Sequence, residues 1–415
     1  MAAMAMIAAT VPAAACARDI SLGEVEQQVL RANREVQAAR RGVESAGAQV
    51  MQADVRPNPV VSLNTLNISS NPGVGPGSLG SKRVDSVFRV DQTLERGNKR
   101  ELRIDAAQGL ERAARGDALD VLRQQLLAAR AAYADLQEAQ QKADILEGTA
   151  QLLARALSVA QLRLKAGDIA AAEVSRVQVD AERAQNDLRA AQAELSRARF
   201  ALAYLIGEES RADALRAQDP WPAVTAPETV SLDAVIEARP DVAAARARLE
   251  AAERLRELAR SQRTRDVTIG AQYERYPGTA PANSIGFGVA VPLFLGNDFS
   301  GDIRRAEVER HAAQDALERV RAQAGVEIRR AASDLRAAGE RLARYEGSLL
   351  AAAQRTADAA EFAFSRGATS VLELLDARRT LRAVQLDALS ARADHARALH
   401  AWRAGLQAAQ ALPTP

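Results

Sequence analysis

One cysteine, three histidines and a single methionine beyond the first seventeen residues leave this 415-residue chain poor in soft or nucleophilic side chains. Cys16 has no partner, so no disulfide framework exists. His395 and His400 are five residues apart, about 140° around a helix, and cannot chelate one ion from one face. Like His311, they read as surface or interhelical residues. Met51 is the only methionine after the leader, so no thioether relay for soft metals is present. Aromatics make up only 3%, and lysine occurs only at Lys82, Lys99, Lys142 and Lys165. No stretch reaches eighteen uncharged apolar residues, which excludes a membrane-spanning helix. A balance of +2 gives no basic footprint for nucleic acid. Nothing here assigns a catalytic residue, a metal site or a cofactor.

What the chain does have is alanine and charge: 47% apolar residues, many of them alanine, and 26% charged. Alanine lets helices approach closely without building a thick core, so long, thin helical assemblies are expected. Residues 1–17 are small and apolar and end in Ala15-Cys16-Ala17, the pattern of a secretory signal with a mature start near Arg18. No Lys or Arg stands at its front, which leaves open a start site inside a longer signal. Cys16 is a candidate lipidation site, although Ala13 stands where such sites usually carry leucine.

The organising stretch is 84–100, VDSVFRVDQTLERGNKR. Val84, Ser86, Phe88 and Val90 alternate with Asp85, Val87, Arg89 and Asp91 as in a strand, then Gly97 and Asn98 break it and a long alanine-rich helix begins. The junction recurs at 287–298, with Phe88 matching Phe287, Val90 matching Val289, Leu94 matching Leu293, and Gly97-Asn98 matching Gly296-Asn297. Val36 and Val242, and likewise Gly167 and Gly367, are also about 200 residues apart, which marks a tandem duplication.

The first repeat is expected over 18–218. It has a helix capped at Ser21 and running to about Asp54, strands over 59–69 and 84–94, and a helical hairpin over 98–205 that turns at Ala166-Gly167-Asp168. Arg56-Pro57-Asn58-Pro59 ends its first helix, and the glycine- and proline-rich stretch 71–80 joins its strands. A connector over 219–230 leads to the second repeat, 231–409. That repeat has a helix capped at Ser231, strands over 266–276 and 284–295, and a hairpin over 302–409 that turns at Arg366-Gly367-Ala368. A short tail, 410–415, closes the chain.

Each strand suits a tilted crossing of an apolar layer roughly 30 Å thick. In the fourth, Ile285, Phe287, Val289, Val291 and Leu293 share one face, and Gly286, Gly288, Ala290 and Pro292 the other. In the third, Val267, Ile269, Ala271 and Tyr273 oppose Thr268, Gly270, Gln272 and Glu274. One oily face and one small or polar face is the pattern of a barrel with lipid outside and water inside. Four strands cannot close a barrel, and open edges are not tolerated in lipid. Several copies must then share a wall: two would give a barrel filled by its own side chains, whereas three give twelve strands and a duct. The bland reading is a soluble four-stranded sheet with one face buried. The trimer is preferred.

At these residues the chain resembles the TolC-type outer-membrane efflux proteins over nearly its whole length. Arg56-Pro57-Asn58-Pro59 and Gln92-Thr93-Leu94-Glu95-Arg96-Gly97-Asn98-Lys99-Arg100 resemble the CzcC-like branch, which serves heavy-metal exporters of the resistance-nodulation-division class. The resemblance implies a mainly α fold with a small β part. Long hairpins would form an α-barrel, and four strands per protomer would join in a homotrimer with a 12-stranded β-barrel and a periplasmic tunnel. It implies outer-membrane location with a long periplasmic extension. The partners would be outer-membrane lipid, a periplasmic adaptor (membrane fusion protein) and an inner-membrane pump, but no nucleic acid.

The resemblance also assigns the hairpin tips Leu164, Ala166, Gly167, Ser365, Arg366 and Gly367 to adaptor contact, and Glu173, Glu373 and Asp376 to an acidic ring at the tunnel entrance. Glu373 and Asp376 are three apart, on one helical face, where three copies would make carboxylate rings that attract cations. Acids near a helix N-terminus also simply favour the dipole. Phe364 and Thr369 stand where the family often has a locking tyrosine and arginine, and Arg176 is placed to pair with Glu173. A periplasmic adaptor usually has one hairpin per chain, and a structural coiled-coil protein needs no alternating strands. Organic toxicants or drugs are the alternative cargo.

Overall fold

The structure, a computed structural model, describes residues 18–66, 84–276, 282–366 and 368–408. The expected signal peptide with Cys16, the loop 71–80, Gly367 and the tail 410–415 lie outside the described residues. In chain order the first half contains β1 (Arg18–Ile20), α1 (Leu22–Ala32), α2 (Arg34–Asp54), β2 (Val60–Leu66), β3 (Asp85–Leu94), α3 (Lys99–Ala166), α4 (Ala171–Ile206) and β4 (Leu215–Ala217). The second contains α5 (Leu232–Ala238), α6 (Pro240–Ser261), β5 (Val267–Tyr276), β6 (Ala282–Ala290), α7 (Ser300–Arg344), α8 (Leu350–Ser365) and α9 (Val371–Leu406). Two compact units form, each drawing on both halves of the duplication: Met1–Arg40 with Ala118–Pro240 and Ala322–Pro415, and Arg41–Asp117 with Asp241–Arg321.

In the first unit the single helix expected from Ser21 to Asp54 is instead two, because Asn33 leaves the helical region (φ −63, ψ 127). Its side chain makes the break self-sufficient. Oδ1 accepts from the N–H groups of Glu35 (3.0 Å) and Val36 (3.1 Å), and Nδ2 donates to the Leu205 carbonyl at 2.9 Å. Those bonds satisfy the orphan amides of the next helix start. The second repeat breaks at the matching place, where Arg239 is extended and Pro240 opens α6. Proline fits a first helical turn but not an interior.

Ser21 caps α1 with a full capping box to Glu24. Ile20, Val25, Val29, Leu122, Leu126, Leu136, Leu202, Ile206 and Leu215 bury together as one core cluster. Within it sits a two-stranded parallel sheet of β1 and β4 that the sequence pattern does not reveal. Its strands are three residues each, too short to show alternation. The Tyr133 hydroxyl fastens it, lying 3.1 Å from the Ile20 carbonyl and 2.8 Å from the Asp219 carboxylate, and accepting from Asp219 N–H at 3.1 Å. The expected connector, 219–230, is thus tied down at its first residue.

His395 and His400 prove interhelical and buried. Burial pushes His400 down to about 4, with Arg130, Arg403 and His395 adding to the effect. The second hairpin, expected over 302–409, carries a π-helical turn, Tyr345–Leu349, between α7 and α8. One extra residue is absorbed there, with Arg341 over the Tyr345 ring at 5.9 Å.

The second unit holds a four-stranded antiparallel sheet in the order β2-β3-β5-β6. The last strand ends at Ala290, not at 295 as expected, because Pro292 lacks the N–H that would continue the ladder. Val291 and Leu293 therefore lie beyond it. The turn after β3 follows the expected glycine-asparagine logic, with Gly97 at φ 74 and Asn98 at φ 56. Its counterpart does not: after β6 the positive φ falls on Phe299 (φ 60) rather than on Gly296. Phe299 packs edge-on against Phe294 at 4.9 Å, which anchors the unusual conformation.

Beside the sheet, α3 and α6 cross closely. A Cβ at Gly109 would stand 2.9 Å from Ala251 Cβ, and one at Gly116 would stand 2.8 Å from Ala244 Cβ and 3.0 Å from its backbone. Ion pairs flank the crossing from Arg112 to Glu250 (3.0 Å) and from Arg248 to Asp117. Gly148, by contrast, has no atom within 4 Å of such a Cβ. Gly116→Leu should therefore lower the midpoint of helical unfolding, by a free energy of about 2 kcal/mol from overpacking. Gly148→Ala should raise it by roughly 0.5–1 kcal/mol through helix propensity alone. Circular dichroism melts of the purified chain check both signs, and equal responses would refute the close crossing.

Candidate functional site

The sheet residues separate by face in the main, although Val60, Leu66 and Val87 fall on the polar side and Thr65, Ser86, Gln92 and Arg275 on the oily one. Register places Val61, Leu63, Phe88, Val90, Ile269, Ala271, Tyr273, Ile285, Phe287 and Val289 on one side. Ser62, Asn64, Asp85, Arg89, Asp91, Gln272, Glu274 and Ser284 lie on the other. The oily side is the bare one: Phe287 is 86% exposed, Ile285 73% and Leu63 70%. A sheet that packs in water hides that face; here the charged face is the half-covered one. The strands β3 and β5 are 10 residues each, the length a tilted strand needs across a bilayer's apolar layer.

On the polar face Arg89 donates to Asp91 through Nε (2.8 Å) and Nη2 (2.8 Å), and to Gln272 Oε1 through Nη1 at 2.9 Å. Gln272 continues the chain to Glu274, which also accepts from Tyr276 and from Ser284 Oγ (3.0 Å). At the far end of β3 the motif 92–100 proves to be a joint. Lys99 Nζ donates to Asp266 at 2.8 Å, and Arg103 joins the Ala53 carbonyl (2.9 Å) to Glu95 (2.7 Å). The Gln92 amide donates to the Pro57 carbonyl at 2.9 Å, so the two short motifs hold each other.

In the other unit lie the hairpin tips. Leu164, Ala166 and Gly167 are exposed, and Gly167 takes φ 82 while Asp168 N–H donates to the Arg163 carbonyl at 2.9 Å. This is a helix C-cap built on the one residue without a Cβ cost. Arg366 ends α8 with its guanidinium over the Phe362 ring at 5.2 Å. Ser365 closes the helix backbone, and Gly367 lies outside the described residues. Ser370 caps α9, accepting from Glu373 N–H at 3.3 Å.

The three acids expected at an entrance are all exposed, and none forms an ion pair among the described residues. Arg176 does not pair with Glu173. A cavity of about 810 Å³ brings Glu173 together with Phe364, Thr369, Arg183, Asp180 and Arg379; Glu373 and Asp376 do not line it. Among the described residues no three His, Cys, Asp or Glu converge as a metal-holding group.

The sequence reading missed Asp180, buried to 9% exposure and held by the Arg379 guanidinium across from α4 to α9. Arg382 and Asp187 repeat the bridge at 3.0 Å. A signal was there: Asp180 sits in the stripe Val174, Val177, Ala184, Leu188, Ala191 that is otherwise apolar. A charge at a core position is retained where a partner is supplied.

A family model described as outer membrane efflux protein matches residues 25–208 and 232–406. The cobalt-zinc-cadmium resistance protein CzcC of Cupriavidus metallidurans is 29% identical over 354 residues, covering 84% of this chain and 81% of that protein. Among solved structures, CusC superposes with a TM-score of 0.77 at 19% identity, covering 94% of this chain and 93% of CusC. VceC of Vibrio cholerae superposes with a TM-score of 0.75 at 20% identity, covering 93% and 96%. At such identities the structures speak for the fold, and the expected fold class stands.

Removing one partner of Asp180–Arg379 should cost more than its neighbours' truncation. Arg379→Ala leaves a buried carboxylate, and the cycle with Asp180→Asn should show a coupling of about 1–2 kcal/mol, discounted because Arg379 is half exposed. Thermal melts of the two single variants and the double variant read it. Strictly additive losses would mean that the bridge carries no energy.

Proposed function

Because the chain belongs to the outer membrane efflux protein family, we propose that it is the exit duct of a tripartite efflux system, passing heavy-metal cations outward without chemistry of its own. One observation carries this: the sheet bares its oily face and half-covers its charged one. In a bilayer that polarity is the favourable one. The sheet also ends in two edges, on β2 and β6, that pair with nothing among the described residues. Unpaired backbone in lipid costs several kcal/mol per group, so the edges must meet other copies of the chain. A homotrimer supplies twelve strands, enough for a bore wider than its own side chains.

The hairpin tips Leu164, Ala166, Gly167, Ser365, Arg366 and Gly367 meet a periplasmic adaptor, which couples the duct to a resistance-nodulation-division pump of the inner membrane. The exposure of Leu164, Ala166 and Gly167 at the first tip and of Arg366 at the second supports that contact. Metal cations are the favoured cargo on two grounds: the likeness to the cobalt-zinc-cadmium resistance protein over most of both chains, and the two joint-forming motifs at 56–59 and 92–100. Organic toxicants remain the rival cargo, with no specific observation in their favour.

Deleting the gene in a host without related ducts should lower tolerance to zinc, cobalt or cadmium by several-fold in growth assays, and the intact gene should restore it. Unchanged tolerance to every divalent metal, with new sensitivity to organic toxicants, would move the protein out of the metal branch. Glu373→Gln combined with Asp376→Asn should lower cation conductance in planar bilayers about twofold, as expected for charge rings at a pore mouth. Unaltered ion preference would remove the ring.

A further inference from the structure

On the proposed reading that the charged face of the sheet lines the bore, we propose that Asp91 and Gln272 are positioning residues that pin Arg89 flat against the duct wall, over a floor cleared by glycines, and so keep the bore open and cation-preferring. Arg89 is the only cation on that face among the described strand residues; Asp85, Asp91 and Glu274 are its acids. Three of its nitrogens are engaged: Nε and Nη2 by Asp91, and Nη1 by Gln272.

The floor beneath is specific. Asp91 pairs across the ladder with Gly270, and Gly270 with Gly288, so two glycines in neighbouring strands lie beside the guanidinium. A Cβ at Gly270 would collide with Asp91 Oδ1 and stand 2.7 Å from Arg89 Nη2; one at Gly288 would stand 3.2 Å from the same nitrogen. Gly286 clears the next place, where a Cβ would meet Gln272 Cγ at 3.0 Å. Glycine weakens a strand, so three on one face of two strands call for a close approach, and the polar chain supplies it.

The charge follows from the geometry. A guanidinium bound in a fork to a carboxylate presents little field, and Glu274, held by the neutral donors Gln272, Tyr276 and Ser284, leaves the wall acidic. Released, it would project into the bore, and three copies would set a ring of positive charge at one level.

Single-channel recording in planar bilayers tests this, using the full chain extracted in detergent and a potassium chloride gradient. Asp91→Asn should lower the potassium-to-chloride permeability ratio about threefold, because the wall loses an acid and gains a loose cation. Gly270→Ala should lower it in the same direction with no change in formal charge, by displacing the pair. Arg89→Ala with Asp91→Asn should restore a ratio at least that of the unaltered duct. Only inserted pores are counted, so poor folding lowers their number and leaves the ratio untouched. A Gly270→Ala pore identical to the parent, or a double variant as altered as Asp91→Asn alone, would overturn the pinning while leaving the duct reading intact. Absence of any pore from the parent chain would overturn both.

Discussion

A β-sheet that leaves its aliphatic side chains bare cannot stand alone in water. With Phe287, Ile285, Val289 and Leu63 exposed on one side, the free energy of the sheet depends on an apolar surrounding, and each large side chain so placed is worth about 1.5–3 kcal/mol. The ladder imposes a second demand. Inside the sheet every strand is paired on its inner flanks through a regular antiparallel register, but β2 and β6 each end on an open row of donors and acceptors. Water can satisfy such a row and hydrocarbon cannot. Oily face and open edge therefore point to one remedy, closure with further copies of the same sheet, and neither demand alone would give it.

The helices meet a different difficulty. A chain with 3% aromatics and much alanine cannot gain stability from thick layers of large side chains. Close approach and charge take their place. Gly109 and Gly116 admit Ala251 and Ala244 to within contact distance of the α3 backbone, and dispersion rises steeply at such separations. Where a helix face is too narrow to be wholly apolar, arginines bridge outward to carboxylates on the next helix, as Arg397 does to Asp135 and Glu138. Most such surface bridges add little individually. Asp180 is the exception, since its burial makes the partner indispensable rather than helpful.

Much of this was legible. Strand alternation in 84–94 and 266–276, the glycine at the first tip and the repeat of about 200 residues all rest on local rules of period and backbone freedom, which a sequence displays directly. What escaped depends on contacts across the chain. Asn33 looks like any polar residue in a helix until the Leu205 carbonyl and the amides of Glu35 and Val36 are seen converging on it. The β1–β4 pair joins residues almost two hundred apart through strands too short for a pattern. The second strand-to-helix turn looked like a copy of the first, yet the conformational strain moved from glycine to Phe299, held there by ring packing. Of the candidate site, the sequence names Glu173 together with Phe364, Thr369 and Arg176, which share its cavity, but not the Asp180–Arg379 bridge beside them. Asp180 was visible as an interruption in an apolar stripe, but Arg379 as its partner was not.

The acids themselves are not equivalent, and the caps separate them. Glu373 stands three residues after the cap Ser370, which accepts from its amide, and Glu173 holds the same place after Ala170. A carboxylate in a helix's first turn is favoured by the dipole whatever else it does, so either residue is accounted for by helix stability alone. Asp376 lies a further turn along, where that field has faded, and it is exposed without an ion-pair partner among the described residues. Elsewhere on these helices some carboxylates bridge to arginine, as Asp180, Asp187 and Asp394 do, while others such as Glu182 and Asp387 form no ion pair among the described residues. Asp376 makes no such bridge among the described residues, and the bridging Arg378, Arg379 and Arg382 all follow it along α9. Its carboxylate is exposed, so its charge is screened by water rather than by a partner on either helix.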